Sequence, residues 1–392
     1  MKRYAVILAV LVTLALVGCG GKGPAKQDAN VVKFGVFEPL TGANAAGGAE
    51  ELDGIRLAQS LYPTVTVGGK EYKIELVIAD NKSDKVEAAN AGQRLVDSDK
   101  VNVVLGSWGS GLSMAAGPIF KEKKIPAIGL SCTNPLVTKD NDFYFRVCFL
   151  DPFQGTVMAN YAFKDGAKTA AVITQLGDDY SSGLGNFFLK AFKALAGDAA
   201  VVADEQFQTN QTDFKAILTN IKAANPDVIF APSSIATAPL LIKQARELGI
   251  TAKIMAGDTW ENVTIIENAG EAAEGVTLST FFDEADPTAA DFVKGFKEYL
   301  KANPESLEKN GGEGVAAVSA LGYDAYMTAI AAIQAAGSTE SQAIRDALPG
   351  VSITGVTGAI SFDENGDAKK DMAYIKTVDG GAFKFLKTVT IQ

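Results

Sequence analysis

Short apolar, β-branched runs alternate with amphipathic stretches along most of this chain, the pattern of strands and covering helices in a parallel α/β architecture. Val31–Phe37, Lys73–Ala79, Val101–Gly106, Ala127–Leu130, Ala170–Thr174, Ala200–Gln206, Val228–Ala231 and Lys253–Ala256 read as strands. Between them, Asp84 caps a predicted helix over Lys85–Val96. Thr212 or Asp213 starts another over Phe214–Ala224, with Phe214, Ile217, Leu218 and Ile221 at helical spacing. Ala238–Leu248, Asp291–Ala302 and the Ala-rich Val315–Ala336 are further helices. The rhythm restarts near Lys168, so two lobes are expected, and 392 residues exceed what one hydrophobic core usually serves. Phe143–Phe149 reads as a crossing strand and Gly275–Phe282 as a segment returning to the first lobe. Thr357–Phe362 and Met372–Val378 read as antiparallel strands joined by the polar turn Asp363–Asp367.

The beginning of the chain breaks this rhythm. Lys2 and Arg3 precede an uncharged, largely apolar run, Tyr4–Val17, and then Gly18-Cys19. A charged start, an apolar run too short to span a bilayer comfortably and a small residue before Cys resemble a bacterial lipobox. Residues 1–18 are therefore expected to be a lipoprotein signal peptide, with Cys19 lipidated and residues 19–30 a flexible tether. An ordinary secretory leader with an unmodified Cys is the alternative. Either way the body of the protein works outside the cytoplasm, in the periplasm or on the outer face of the cell membrane; with Cys19 lipidated, the lipid alone would tie it to the membrane.

Composition narrows the chemistry. With 47% hydrophobic and 21% charged residues the chain is globular, and a formal net charge of −10 without basic runs argues against nucleic-acid binding. It contains no histidine, which removes the commonest general base and the commonest transition-metal ligand together. There is no nucleophile elbow and no Walker lysine. Catalysis, a metal and a cofactor are not expected. Asp363–Asp367 lacks the helices and the twelfth-position Glu of a calcium loop and reads as a surface turn. Cys132 and Cys148 read equally as a disulfide or as two free, partly buried thiols.

In open parallel sheets ligands bind beyond the carboxyl ends of the strands. The predicted strand ends here lead into Ser107-Trp108-Gly109-Ser110-Gly111, Ser131-Cys132-Thr133-Asn134-Pro135, Gly177-Asp178-Asp179-Tyr180, Pro232-Ser233-Ser234 and Gly257-Asp258-Thr259-Trp260. A helix starting after Gly111 offers free N–H groups to a carboxylate. Asp258 offers a partner to an ammonium, and Trp108 and Tyr180 offer cover to apolar atoms. A carboxylate receptor facing an acid across a cleft is the chemistry of an α-amino-acid site. Each residue also has a plainer reading: Ser110 and Asp258 as caps, Trp108 and Tyr180 as packing, Ser131 and Thr133 as turn residues, Ser234 as a cap or solvated hydroxyl. Asp178-Asp179 reads as a solvated loop.

Phe37-Glu38-Pro39-Leu40-Thr41-Gly42, Gly106-Ser107-Trp108-Gly109-Ser110, Ser131–Pro135, Phe145–Gly155, Gly177–Tyr180, Ala245–Gly249, Gly257–Trp260 and Phe362–Gly366 follow in that order after the lipobox. Together they resemble the branched-chain amino-acid (leucine/isoleucine/valine-type) substrate-binding lipoproteins of ABC importers, in the type I periplasmic-binding-protein family, over essentially the whole mature chain. The resemblance implies two Rossmann-like lobes joined by a three-segment hinge, 31–150 plus 282–356 and 151–281 plus 357–392, which close on a ligand. It implies that Ser110, Ser131 and Thr133 hold the ligand's carboxylate and ammonium, that Asp258 binds the ammonium and that Tyr180 closes over it. The expected partners are an amino acid and an ABC permease and ATPase complex, with the protein itself a monomer. A sensing protein of the same fold for amino acids, amides or urea is the alternative. Gly47 and Ser234 stand where the leucine/isoleucine/valine binders carry aromatics, and Trp108 stands where they carry a smaller apolar residue. The anchor is thus expected to be kept and the side-chain pocket, which includes Trp108 and Ser234, to be rebuilt.

Overall fold

The alternating runs build two mainly parallel sheets in the computed structural model, which describes residues 30–390. The signal peptide, Cys19 and almost all of the tether lie outside the described residues. Strands are numbered along the chain: β1 Val31–Glu38, β2 Thr64–Val67, β3 Lys70–Asp80, β4 Val103–Leu105, β5 Ala127–Gly129 and β6 Tyr144–Arg146. These form a sheet in the order β2-β3-β1-β4-β5-β6, parallel except for the β2–β3 hairpin. The second sheet contains β7 Ala170–Leu176, β8 Val201–Gln208, β9 Val228–Phe230, β10 Lys253–Ala256 and β11 Thr277–Thr280. A hairpin of β12 Ser352–Gly355 and β13 Gly358–Ser361 stands apart, and β14 Met372–Asp379 and β15 Ala382–Thr390 finish the chain. The second sheet runs β15-β14-β11-β10-β9-β7-β8, its last two strands in chain order being antiparallel.

Strands such as Val103–Leu105 and Val228–Phe230 are buried throughout, as expected where helices cover both faces of a parallel sheet. Asp84 caps the helix Lys85–Asp97 by accepting from the amides of Val86 and Glu87. The chain leaves the first sheet after β6 and enters the helix Asp151–Lys164, which packs on Asp179–Ala196. After β11 it returns through Phe281 to Ala290–Ala302 and then Ala317–Ala336, which packs on Ala45–Leu61 beside the first sheet. Phe149 and Phe281, one on each of these passages, pack with ring centroids 4.3 Å apart and planes tilted by 34°.

Two sequence expectations change, and one open alternative takes a definite form. Phe143–Phe149 holds only the three-residue strand β6. The segment near Thr357–Phe362 pairs backward with Ser352–Gly355, whereas Met372–Asp379 joins the second sheet, so the two are not partners across the polar turn. Cys132 and Cys148 are free and fully buried. Cys132 packs with Phe37, Phe120 and Tyr144, while Cys148 belongs to the separate core shared with Val147 and Phe149.

Candidate functional site

The carboxyl ends of the two parallel sheets meet around a cavity of about 260 Å³. Trp108, Ser110 and Ser131 line it from the first sheet; Gln175, Tyr180, Ser233, Ser234 and Thr259 line it from the second. The cleft is closed. Lys85 Nζ lies 2.7 Å from Asp179 Oδ2, Asn134 Nδ2 donates to the Asp179 carbonyl at 2.8 Å, and Asn262 Nδ2 donates to Glu50 Oε1 at 2.9 Å. Asp178, its neighbour, caps the helix Asp179–Ala196, so this acidic pair is a cap and a cross-cleft contact, not a solvated loop.

Five of the seven expected ligand residues, Trp108, Ser110, Ser131, Tyr180 and Ser234, are on the cavity wall. Thr133 and Asp258 are not; both are buried behind it. Ser110 is the first residue of the helix Ser110–Lys123, behind Gly109 at φ 93°, and no side chain caps that first turn. Its hydroxyl is not a cap either: Ser110 Oγ accepts from the Asn134 amide at 3.1 Å and joins the two loops of the first lobe. Ser234 Oγ lies 2.9 Å from Thr237 Oγ1.

Trp108 owes its place to a glycine. A Cβ built on Gly47 would overlap the indole, so the ring occupies space that any other residue at 47 would claim. The Trp108 amide donates to Glu38 Oε2 at 2.6 Å.

Buried acids gather under this wall. Tyr180 OH donates to Asp258 Oδ1 at 3.0 Å and Gln154 Nε2 donates to the same oxygen, while Asp258 Oδ2 is buried without a partner. Burial pushes the Asp258 carboxyl up to about 7, against the hydrogen bonds from Gln154 and Tyr180. Burial likewise raises Glu51 and Asp151 to about 8 each. Both carboxyls, and Thr133 Oγ1, are buried without a protein partner at their oxygens. Glu38 is raised by burial first and by Glu51 next. Near neutral pH Glu51 and Asp151 are therefore mostly uncharged, and Asp258 is the acid poised to ionise. Among the described residues no group of three or more acidic, Cys or His side chains is arranged to hold a metal ion.

Sequence reasoning gave no role to Glu38, Glu51, Asp151, Gln154, Gln175, Ser233 or Arg146. Arg146 is fully buried: Nε is 2.6 Å from Asp367 Oδ1, and Nη1 donates to the Cys132 and Asn134 carbonyls at 2.6 Å each. It thereby fixes the loop that carries Ser131 and Thr133. The available signal was a single cation inside the apolar run Tyr144–Phe149, where an unpaired charge is not tolerated. The Asp363–Asp367 turn closes on itself as expected, with Asp363 Oδ1 accepting from the Asn365 and Asp367 amides, but Asp367 turns inward to Arg146.

The family model for periplasmic binding proteins matches residues 31–382. A leucine-binding protein from Thermotoga maritima is 38% identical, with a TM-score of 0.83 over 92% of this chain and 99% of that one. A branched-chain amino acid transporter substrate-binding protein from Streptococcus pneumoniae, in complex with isoleucine, is 30% identical, with a TM-score of 0.81 over 92% of this chain and 99% of that one. A Leu/Ile/Val-binding protein homolog from Brucella melitensis is 28% identical over 343 residues, covering 86% of this chain and 88% of the relative.

Proposed function

The chain belongs to the periplasmic-binding-protein family, and from that premise we propose that it captures an amino acid, branched-chain or related, and delivers it to an ABC importer. It is a binding protein and not an enzyme. In this reading the lobes 31–150 plus 282–356 and 151–281 plus 357–392 are hinged and trap the ligand between them. The uncapped first turn of Ser110–Lys123, with Ser110 and Ser131, receives the carboxylate. Asp258, with the hydroxyl of Tyr180 beside it, receives the ammonium, Thr133 adds a hydroxyl to the anchor, and Trp108 and Tyr180 cover the ligand. Lipidation at Cys19 holds a monomer on the outer face of a bacterial membrane, within reach of a permease and its ATPases.

The observation that carries this reading is an uncapped helix start on the cavity wall together with a buried acid, Asp258, which is hydrogen-bonded to the wall residue Tyr180 and keeps a spare oxygen. A neutral ligand would leave that oxygen without a cation, and an amine without a carboxylate would leave the helix amides unmatched. Mass spectrometry of small molecules released by denaturing protein purified from its own cells is the test. Recovery of an α-amino acid at near-stoichiometric amounts is expected; recovery of a solute lacking either charged group would contradict it.

A further inference from the structure

The second lobe presents an almost wholly polar wall to the cavity. Tyr180 is its one large apolar side chain there; Gln175, Ser233, Ser234, Thr209 and Thr259 make up much of the rest. Ser233 is fully buried, and its Oγ has no hydrogen-bond partner. The residue is nevertheless held firmly, because its carbonyl accepts from Trp260 Nε1 at 3.2 Å and from Thr259 Oγ1 at 3.4 Å. Gln175 is 5% exposed, and its Oε1 accepts from the Ser234 amide at 3.2 Å. With that oxygen committed, its carboxamide NH2 is the donor it offers to the cavity.

We infer that the site selects an amino acid whose side chain carries a hydroxyl or a carboxamide over the aliphatic side chain of the same shape, with Ser233 and Gln175 as the selecting residues. This rests on the amino-acid reading above and narrows its substrate class. The carboxylate loops and Asp258 take up the two charged groups, so the side chain is left to face Gln175 and Ser233. An aliphatic group against them keeps a buried hydroxyl unpaired and strips water from a carboxamide without replacing it. A polar group of equal volume pairs with both. Such sites discriminate more strongly than an apolar pocket does against one methylene. Trp108, Leu112 and Ala43, on the first lobe, still cover the aliphatic stem.

Two isosteric pairs test this: threonine against valine, and asparagine against leucine. Calorimetry on ligand-free protein should show each polar member binding at least about tenfold more tightly than its partner. Ser233→Ala should bring the threonine-to-valine ratio towards one, and Gln175→Leu should do the same for asparagine and leucine. Wild-type protein that prefers valine and leucine overturns this inference and leaves the amino-acid reading standing. Variants that fold, by circular dichroism, yet keep the wild-type ratios overturn the assignment to Ser233 and Gln175. Binding of none of the four, at concentrations where the protein is folded, overturns the inference together with the reading it rests on.

Discussion

Tyr180 donates its hydroxyl to Asp258 Oδ1 at 3.0 Å, and this bond helps hold a carboxylate whose other oxygen is buried and unmatched. The arrangement suits a ligand more than it suits the empty fold. Burial raises Asp258 to about 7, above the roughly 3.9 of an unfolded chain, so the folded state binds the proton more tightly. The apo fold therefore loses stability as pH rises from about 4 to about 7, the reverse of a salt-bridged Asp. Asp258→Asn should raise the melting temperature of ligand-free protein at pH 8 while leaving it nearly unchanged at pH 4. A lower melting temperature for the variant at pH 8 would contradict this.

Ligand affinity should run the opposite way. An ammonium favours ionised Asp258, so binding below pH 7 expels a proton, and affinity should fall about tenfold per pH unit once the pH is well below 7. Glu51 and Asp151, raised by burial to about 8, stay mostly protonated there and add little to the slope. Calorimetry at pH 6 in buffers of differing ionisation enthalpy should report release of most of one proton. A constant affinity from pH 5 to pH 8 would sink the assignment.

The contact of Gly47 with Trp108 gives a steric test. Gly47→Ala should weaken binding and shift tryptophan emission, because the new methyl meets the indole. Adding Trp108→Leu should remove most of the penalty of the alanine, with a coupling energy of about 1 kcal/mol or more. Strictly additive effects would mean that the ring does not depend on the glycine.

Asp367→Ala should destabilise the fold by about 3–5 kcal/mol, since it leaves the Arg146 guanidinium buried with only neutral partners, the Cys132 and Asn134 carbonyls and the Thr138 hydroxyl. Urea denaturation measures this, and a loss under about 1 kcal/mol would show the pair to be dispensable.

How far this site was legible depended on whether a residue's role is local. The strand–helix rhythm and the loops after β4, β5, β7, β9 and β10 are set by nearby sequence, so Ser110, Ser131 and Tyr180 were found from where their strands end. Glu51 lies on the helix Ala45–Leu61 and Gln175 near the end of a strand; only packing from distant segments makes one a buried neutral acid and the other a cavity donor. The hairpin β12–β13 was missed although its pairing is local: Gly358–Ser361 pairs with the strand two residues before it, and the buried Asp324 carboxylate holds the turn by accepting from the Val356 and Thr357 amides. Cys132 and Cys148 were open to either reading from sequence, because pairing is decided by packing; both are buried and free.

The central claim is that the cleft recognises an amino acid through its ammonium, held by Asp258. Calorimetry of ligand-free protein with its best amino acid, and with the same molecule lacking the α-amino group, tests that most directly. Losing a buried charged partner costs about 3–5 kcal/mol, so the deaminated analogue should bind at least two decades more weakly. Asp258→Ala should bind the amino acid at about the strength with which wild-type protein binds the analogue. Equal affinity of wild-type protein for both molecules would contradict the account.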